Sequence, residues 1–356
     1  MDDDPKKYWI GIKMIPAFIN KQYVLSQAAG GPKELWGASK RDLMELGLSE
    51  SSADKAVSVR DLIDLDIEYK RLQDAGIQVI TDEDKDYPYP LIKVSNRPKA
   101  LFVKGRLRQY NAAVAVVGSR RATAAGMTIA HELALDLANS GVAVVSGAAR
   151  GIDTSAHWGA LDAGGTTFAV LGCGLDIVYP PENGRLFNKI RQHGALISEY
   201  HLGTPPLAMN FPARNRIVAG MCDGVVIVEA AEKSGALITV DFALEYGRDV
   251  FAIPGHAKSF NSKGTNKLIK QGAYLVENAK DVLEILGFEH VESSKSKILT
   301  PREKAVLDII GWNGKRIDEI AGCLSESSAS VSALIVSLEV NGLVKRDLSG
   351  SYMRIR

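Results

Sequence analysis

Residues 112–120 read Ala-Ala-Val-Ala-Val-Val-Gly-Ser-Arg, an apolar run of strand length that stops at a Gly-Ser-Arg turn. A helical pattern follows over about residues 127–140, and a second apolar run, residues 142–145, ends at Ser146 and Gly147. Apolar runs of this length around a helical stretch predict a β-loop-α-β unit of a parallel sheet. Both loops then leave the carboxyl ends of their strands, and open α/β sheets bind ligands at that edge.

The alternation of strand and helix extends well beyond this unit. It predicts an α/β fold with an extended Rossmann-like, doubly wound and mostly parallel sheet over residues 71–288. Residues 1–70 show short helical patterns, typical of a small all-α module of the sterile-alpha-motif or helix-hairpin-helix kind. Residues 289–298 are rich in serine and lysine and are predicted to be a linker. Residues 299–356 show three helical patterns and then a two-stranded ribbon, which predicts a winged-helix module.

The start of the predicted sheet domain has a different composition. Residues 77–103 contain a Tyr-Pro-Tyr-Pro segment and a further proline. Because proline interrupts helices, we expect this stretch to be extended and to add an edge strand or a flap to the sheet.

Length and composition limit the possible classes of protein. A chain of 356 residues is too long for one ordinary core, and 46% hydrophobic with 24% charged residues is typical of a soluble globular protein. The net charge of +1 means that any basic surface must be local. Three distant cysteines without a CxxC pair argue against disulfides and zinc. The sequence has neither a signal-peptide pattern nor an apolar run of membrane-spanning length, so we expect a cytoplasmic protein without a membrane partner.

Several predicted loops at one edge of the sheet combine glycine, hydroxyl and arginine residues. They are residues 118–121, residues 146–153 and residues 171–174. Each loop by itself is explained as a tight turn, but three at one edge indicate positions that bind anions. A dinucleotide-binding fold would have a GxGxxG motif directly after the first strand, and this sequence does not have one.

A fourth segment reads Phe-Pro-Ala-Arg-Asn-Arg and begins at Phe211. Arg214 and Arg216 can reach adjacent phosphates, and an exposed phenylalanine before them could stack on a base. In the alternative, Phe211 belongs to the core and one of the arginines pairs with Glu229 or Glu199. Both interpretations remain open from the sequence.

Two further segments have the composition of anion-binding turns. Ser234 and Gly235 precede a predicted helix, whose N-terminus favours negative charge. Residues 254–267 contain Pro-Gly and then Lys-Gly-Thr-Asn-Lys before a short helix.

The ordered motifs GSR, SGxARGID, LGCGxDxxYPxEN, FPxRNRIxAG, SGALxT and PGxxxSxxxxGTNxLIxxGA resemble those of the DprA/Smf family, the DNA-processing protein A of natural transformation. The resemblance covers about residues 77–286. It implies a homodimeric protein that binds single-stranded DNA without a cofactor, protects incoming single strands and loads the RecA recombinase. The DNA-binding candidates, from this resemblance and from the anion-binding turns above, are Gly118, Ser119, Arg120, Gly147, Arg150, Phe211, Arg214, Asn215, Arg216, Ser234, Lys263, Asn266 and Lys267.

Both terminal modules depart from the DNA-binding patterns of their classes. The N-terminal hairpin turn at residues 16–18 lacks the glycine that brings backbone amides to a phosphate, which favours a packing role. The predicted recognition helix, residues 327–341, contains no lysine or arginine. Because major-groove reading uses such side chains, we do not expect sequence-specific recognition of duplex DNA.

Two other functions compete with single-strand binding. The first is a nucleotide hydrolase of the lysine-decarboxylase-like Rossmann group, which carries a compact PGGxGTxxE motif with a catalytic glutamate. Here eight residues separate Gly255 from Gly264, and no glutamate stands at the matching place. No metal-ligand spacing and no arranged nucleophile is present, so we predict that the chain is not an enzyme. The second alternative is a transcription regulator that acts through the winged helix.

Overall fold

The computed structural model describes residues 4–18, 21–107, 109–288, 300–311, 314–324, 326–340, 343–347 and 350–354. The chain divides into two compact units, residues 1–292 and residues 293–356. Each unit has its own hydrophobic core.

The first unit begins with short helices. They are α1 (Pro5–Met14), α2 (Gln22–Ala29), α3 (Pro32–Gly37), α4 (Lys40–Glu45), α5 (Glu50–Arg60) and α6 (Leu65–Asp74), with a 3-10 turn at Pro16–Phe18. The helix α1 starts at a proline, and the side chain of Asp4 caps it by accepting a hydrogen bond from the amide of Lys6. Trp9 and Ile12 of α1 are buried in one cluster with Phe102 of the sheet, so the helices share a core with the sheet.

A nine-stranded sheet forms the centre of the first unit. Its strands are β1 (Ile77–Thr81), β2 (Ala100–Gly105), β3 (Ala113–Val117), β4 (Ala143–Ser146), β5 (Thr167–Leu171), β6 (Ala195–Ser198), β7 (Gly224–Ile227), β8 (Asp249–Ala252) and β9 (Tyr274–Leu275). They lie in the order β1-β2-β6-β5-β4-β3-β7-β8-β9. The strand β2 is antiparallel to both of its neighbours and all other pairs are parallel. The prediction of a mostly parallel α/β sheet is confirmed.

The strand order contains a reversal that locates a binding site. From β3 the chain adds β4, β5 and β6 on one side, and then returns to add β7, β8 and β9 on the other. The neighbours β3 and β7 therefore form the switch point of the sheet, where connections diverge and leave a crevice at the carboxyl ends. All five residues of β3 are buried, as expected for a strand that helices cover on both faces.

The remaining helices of the first unit connect these strands. They are α7 (Tyr89–Ile92), α8 (Ala124–Asn139), α9 (Ile152–Asp162), α10 (Gly184–His193), α11 (Asn210–Gly220), α12 (Leu237–Glu245), α13 (Lys263–Lys270) and α14 (Ala279–Leu286). The expectation that prolines exclude helix from residues 77–103 is wrong at α7. Its proline, Pro90, lies in the first turn, where the missing amide hydrogen would have no helical partner. The edge strand expected there is β1.

The second unit contains α15 (Pro301–Ile310), α16 (Ile317–Leu324), α17 (Ser328–Val340), β10 (Val344–Arg346) and β11 (Tyr352–Arg354). The two strands form an antiparallel ribbon. Val331, Ile335 and Leu338 of α17 are buried in the core of this unit. Within the described ranges no single helix is long and apolar enough to cross a membrane; only the bent pair of α16 and α17 together meets that test of length and composition.

Candidate nucleic-acid interface

A groove of about 720 Å³ lies at the carboxyl edge of the sheet, where β3, β4 and β7 end. Loops that follow these strands form its floor, and the first turn of α11 forms part of its wall. The predicted site residues that line it are Gly118, Ser119, Arg120, Gly147, Phe211, Arg214, Asn215 and Ser234. The structure therefore brings together residues that are more than one hundred positions apart in the sequence.

The other five predicted residues, all within the described chain, lie outside the lining of this groove. Arg150 borders a small neighbouring cavity and forms a salt bridge with Glu182. Asn266 binds both backbone groups of Gly255, with distances of 3.1 Å and 2.9 Å. Lys263 and Lys267 lie exposed on α13. Arg216 is buried and forms a salt bridge with Glu199, the pairing that the sequence had left open.

Arg214 lies in the floor of the groove and is only 4% exposed. Its guanidinium donates to the carbonyl oxygen of Gly147 at 2.8 Å and to that of Val170, which ties together the ends of β4 and β5. A Cβ atom at Gly147 would lie 2.4 Å from this guanidinium. Glycine is therefore required at position 147 because the arginine packs against the backbone.

Asp153 occupies the position that the sequence predicted for a phosphate beside the second loop. Its carboxylate accepts hydrogen bonds from the amides of Gly147 and Ala149, at 3.1 Å and 3.3 Å. Burial raises the pKa of Asp153, and the charge of Arg214 acts against that rise. These two amides, in the loop that precedes α9, are therefore already bonded to a carboxylate of the chain itself.

Glu229 has the same role beside the first loop. Its backbone oxygen accepts from the amide of Ser119 at 2.7 Å, and its carboxylate accepts from the amide and the hydroxyl of Thr123, the N-cap of α8. The Asn261 amide donates to the same carboxylate at 3.1 Å. The two helix N-termini that would hold the phosphates of a nucleotide thus face carboxylates, which repel further anions.

Exposed cations and aromatic rings complete the groove. Arg120 and Arg121 are exposed on its rim, and no described carboxylate forms a salt bridge with either of them. The guanidinium of Arg120 lies 5.1 Å from the ring centre of Phe211, and Tyr179 packs against the same ring at 5.5 Å. Phe211 is half-buried, since it also packs against the end of β5 at Gly172. Phe211 is therefore neither a fully buried core residue nor fully exposed, and its stacking on a base stays a prediction.

Among the groove residues outside the predicted DNA-binding set are Arg121, Phe260 and Asn261. Phe260 and Asn261 come after β8, and Asn261 donates to the backbone oxygen of Arg121 at 2.9 Å. An aromatic residue in a polar loop at the binding edge of the sheet was the available signal for Phe260. Nothing in the local sequence distinguishes Asn261.

The described residues contain no cluster of three histidine, cysteine, aspartate or glutamate side chains that could hold a metal ion. His157 is fully buried 2.7 Å from the Thr167 hydroxyl, and burial lowers its pKa to about 3. It is therefore neutral at physiological pH.

The fold and the groove define a Rossmann-like protein whose binding edge offers arginine and aromatic side chains in place of a nucleotide cradle. Residues 78–287 match the family model of DNA recombination-mediator protein A, and the chain belongs to this DprA/Smf family. It is 38% identical to protein Smf of Escherichia coli over 297 residues, which cover 80% of this chain and 79% of the relative. It is 47% identical to the DNA processing protein DprA of Streptococcus pneumoniae over 201 residues, 56% of this chain and 71% of the relative.

Two solved structures support the same assignment. The X-ray structure of DprA from Streptococcus pneumoniae superimposes with a TM-score of 0.69 at 35% identity, covering 81% of this chain and 99% of that one. A DprA structure from Helicobacter pylori, described as showing a single-stranded DNA binding mode, gives a TM-score of 0.55 at 30% identity, with coverages of 60% and 97%. The resemblance identified from the sequence motifs is confirmed.

Proposed function

We propose that this protein binds single-stranded DNA along the groove at the β3–β7 switch point and thereby acts as a mediator of DNA recombination. The observation that carries the proposal is the exposed arginine on the groove rim, Arg120, whose guanidinium lies over the ring of Phe211. A guanidinium suits a phosphate, and an aromatic face suits any unpaired base. The DNA-binding mode described for the relative from Helicobacter pylori supports the same ligand.

The carboxylates of Asp153 and Glu229 favour a polymer over a free nucleotide. A mononucleotide relies on amides at a helix N-terminus for its phosphate, and these carboxylates hold the amides of Gly147 and the N-cap Thr123. A DNA strand can instead distribute its phosphates over side chains along the rim. Side-chain contacts to phosphate carry no sequence information, so we propose binding without base preference.

The direct test measures the affinity of the full chain for labelled oligo(dT) by fluorescence anisotropy, beside a duplex of equal length. We expect the single strand to bind more tightly, and Arg120→Ala to weaken that binding several-fold. The slope of log K against log salt should fall by about 0.7 for one lost phosphate contact. The matched control is Arg185→Ala, because Arg185 is an exposed arginine over Trp158 and lies outside the groove lining. Equal affinity of the Arg120 variant and the wild type would refute this assignment of the site.

We further propose that Arg214 and Arg216 support the site from below, since both are mostly buried. Arg150, Lys263, Asn266 and Lys267 would contact DNA only where the strand extends beyond the groove. Measuring Lys267→Ala against short and long oligo(dT) tests this extension, because only the longer strand should lose affinity.

The family membership supports a wider role in recombination. We propose that the protein protects incoming single strands from nucleases and helps RecA to assemble on them, in the cytoplasm, during natural transformation or homologous recombination. A RecA filament assay on strands coated with single-strand-binding protein tests this role, since the full chain should shorten the lag. No change in the lag would contradict the RecA proposal and leave DNA binding intact.

A homodimer is also part of the proposal. The strand β9 closes one edge of the sheet, and its residues Tyr274 and Leu275 are 46% and 51% exposed. An exposed apolar edge strand is a ready surface for a second copy of the chain.

We propose domain boundaries at residues 1–70, 71–288, 289–298 and 299–356, with the first segment acting as a sterile-alpha-motif or helix-hairpin-helix-like packing module. The last segment would be a winged-helix-like interaction module. Without lysine or arginine on α17, a role as a transcription regulator has little support.

We propose that the protein acts by binding, without catalysis of its own. The nucleotide-hydrolase alternative requires a glutamate in the Pro-Gly loop, where this chain has Asn266 and Lys267. Incubation with AMP followed by chromatography tests it, and release of free adenine would contradict our proposal.

A further inference from the structure

The groove has a second aromatic side chain, Phe260, to which no role has been given above. It is 70% exposed, although aromatic side chains of this size usually bury most of their surface. It begins a single 3-10 turn, Phe260–Ser262, after β8, and it borders the same groove as Arg120 and Phe211.

The turn that carries Phe260 is firmly attached to the floor of the groove. The side chain of Asn261 donates to the backbone oxygen of Arg121 at 2.9 Å and to Glu229 at 3.1 Å. The backbone oxygen of Asn261 accepts from the amide of Ala230 at 2.7 Å. A side chain on such a turn is presented in a fixed place, which lowers the entropy cost of binding.

The two phenylalanines are attached near the ends of strands that are not neighbours in the sheet. Phe211 packs against Gly172 at the end of β5, and the turn of Phe260 is bonded to residues at the end of β7. These strand ends are three strand spacings of about 4.8 Å apart, or about 14 Å in total. That length corresponds to about four stacked nucleotides. The exposed Arg120 and Arg121 follow β3, which lies between β5 and β7 in the sheet.

We propose that Phe260 is a second base-stacking platform, which holds one unpaired base in the groove while Phe211 holds another. The inference rests on the proposed function and adds a named contact and a specificity to it. Each ring stacks on one base, and the arginines between the rings bind the phosphates that lie between those two bases. Only a single strand presents free base faces at both points, so Phe260 favours single strands over duplexes.

The experiment compares Phe260→Ala and Phe260→Trp with the wild-type full chain on two ligands. One ligand is oligo(dT), and the other is an abasic strand of equal length, which has the phosphates but no bases. We expect Phe260→Ala to bind oligo(dT) about 5- to 150-fold more weakly, and to bind the abasic strand as the wild type does. Phe260→Trp should retain the affinity, and its added tryptophan fluorescence should be quenched by oligo(dT).

Leu62→Ala is the matched control, because Leu62 is an apolar side chain, 87% exposed, far from the groove lining. An equal loss on both ligands would overturn the proposal, since it would indicate a structural effect. Unchanged binding of oligo(dT) by Phe260→Ala would also overturn it, as would a change in self-association alone, which would place Phe260 at a protein contact. Each of these three results leaves the proposed function standing if the wild type binds oligo(dT). A wild type that does not bind oligo(dT) refutes both.

Discussion

Glu199 joins the N-terminal helices to α11, the helix that carries Arg214 and Arg216. Its carboxylate accepts from the ammonium of Lys13, on α1, at 3.3 Å, and from the guanidinium of Arg216, on α11. Lys13 also donates to Gln22 at 3.2 Å. The Lys13 side chain is 1% exposed, and those of Glu199 and Arg216 are below 20%. Two mostly buried cations around one mostly buried carboxylate make Glu199 a sensitive point for stability.

The size of the effect follows from the pKa of Glu199. Burial alone would raise this pKa, but the charges of Arg216 and Lys13 lower it from 4.5 to about 2. Because the folded state holds the carboxylate ionised more strongly than the unfolded state does, the stabilisation is complete above about pH 4.5. It is lost as the pH falls towards 2. The difference in pKa corresponds to about 3 kcal/mol of unfolding free energy at pH 7, of which about 1 kcal/mol is lost at pH 3.5.

We therefore predict that Glu199→Gln lowers the unfolding free energy by about 3 kcal/mol or more at pH 7, and that its gap to the wild type narrows at pH 3.5. Urea unfolding followed by tryptophan fluorescence measures both values, since Trp9 is buried on α1. Glu182→Gln is the control: its salt bridge with Arg150 is exposed, so it should have little effect. A gap between Glu199→Gln and the wild type that is the same at both pH values would refute the charge assignment.

Three further predictions concern the carboxylates of Asp153 and Glu229 and the proposed dimer edge. Asp153→Ala should lower the unfolding free energy by about 1–3 kcal/mol in urea titrations, because the amides of Gly147 and Ala149 lose their acceptor; an unchanged midpoint would contradict the bonding described. Glu229→Gln should lower the melting temperature in differential scanning fluorimetry, because the carboxylate accepts through both of its oxygens, from the amide and from the hydroxyl of Thr123, and an amide side chain has only one acceptor oxygen. Leu275→Asp should shift the mass measured by light scattering from dimer to monomer, whereas Val24→Asp, at another exposed apolar site, should not; a dimer that persists in both would exclude the β9 edge.

Much of the fold could be predicted from the sequence because its signals are local. Apolar runs such as residues 113–117 alternate with helical patterns, and burial on both faces of a parallel strand makes such runs continuous. The edge on which the site lies follows from the same pattern, since loops after parallel strands meet at one edge. The order of motifs was specific enough to identify the family. The helix α7 was missed because proline is tolerated in a first turn, which composition alone does not reveal.

The partners of the charged side chains could not be predicted, because they come from distant parts of the chain. The contact between Lys13 and Glu199 spans 186 residues. Arg216 pairs with the same Glu199 carboxylate. The sequence identified the amides after β4 as a phosphate site, whereas the fold brings the Asp153 carboxylate onto them.

The sequence by itself therefore determined the class of fold, the family and the edge at which the groove lies. These follow from the periodicity of apolar residues and from short motifs, which act over a few positions. Only the tertiary structure showed which of the predicted anion-binding turns have backbone amides that are bonded to a carboxylate of the chain itself. It also showed that Arg120 and Phe260 line the same groove. The physical reason is that hydrogen bonds and ion pairs depend on ångström-scale distances between segments, and those distances exist only after the sheet has assembled.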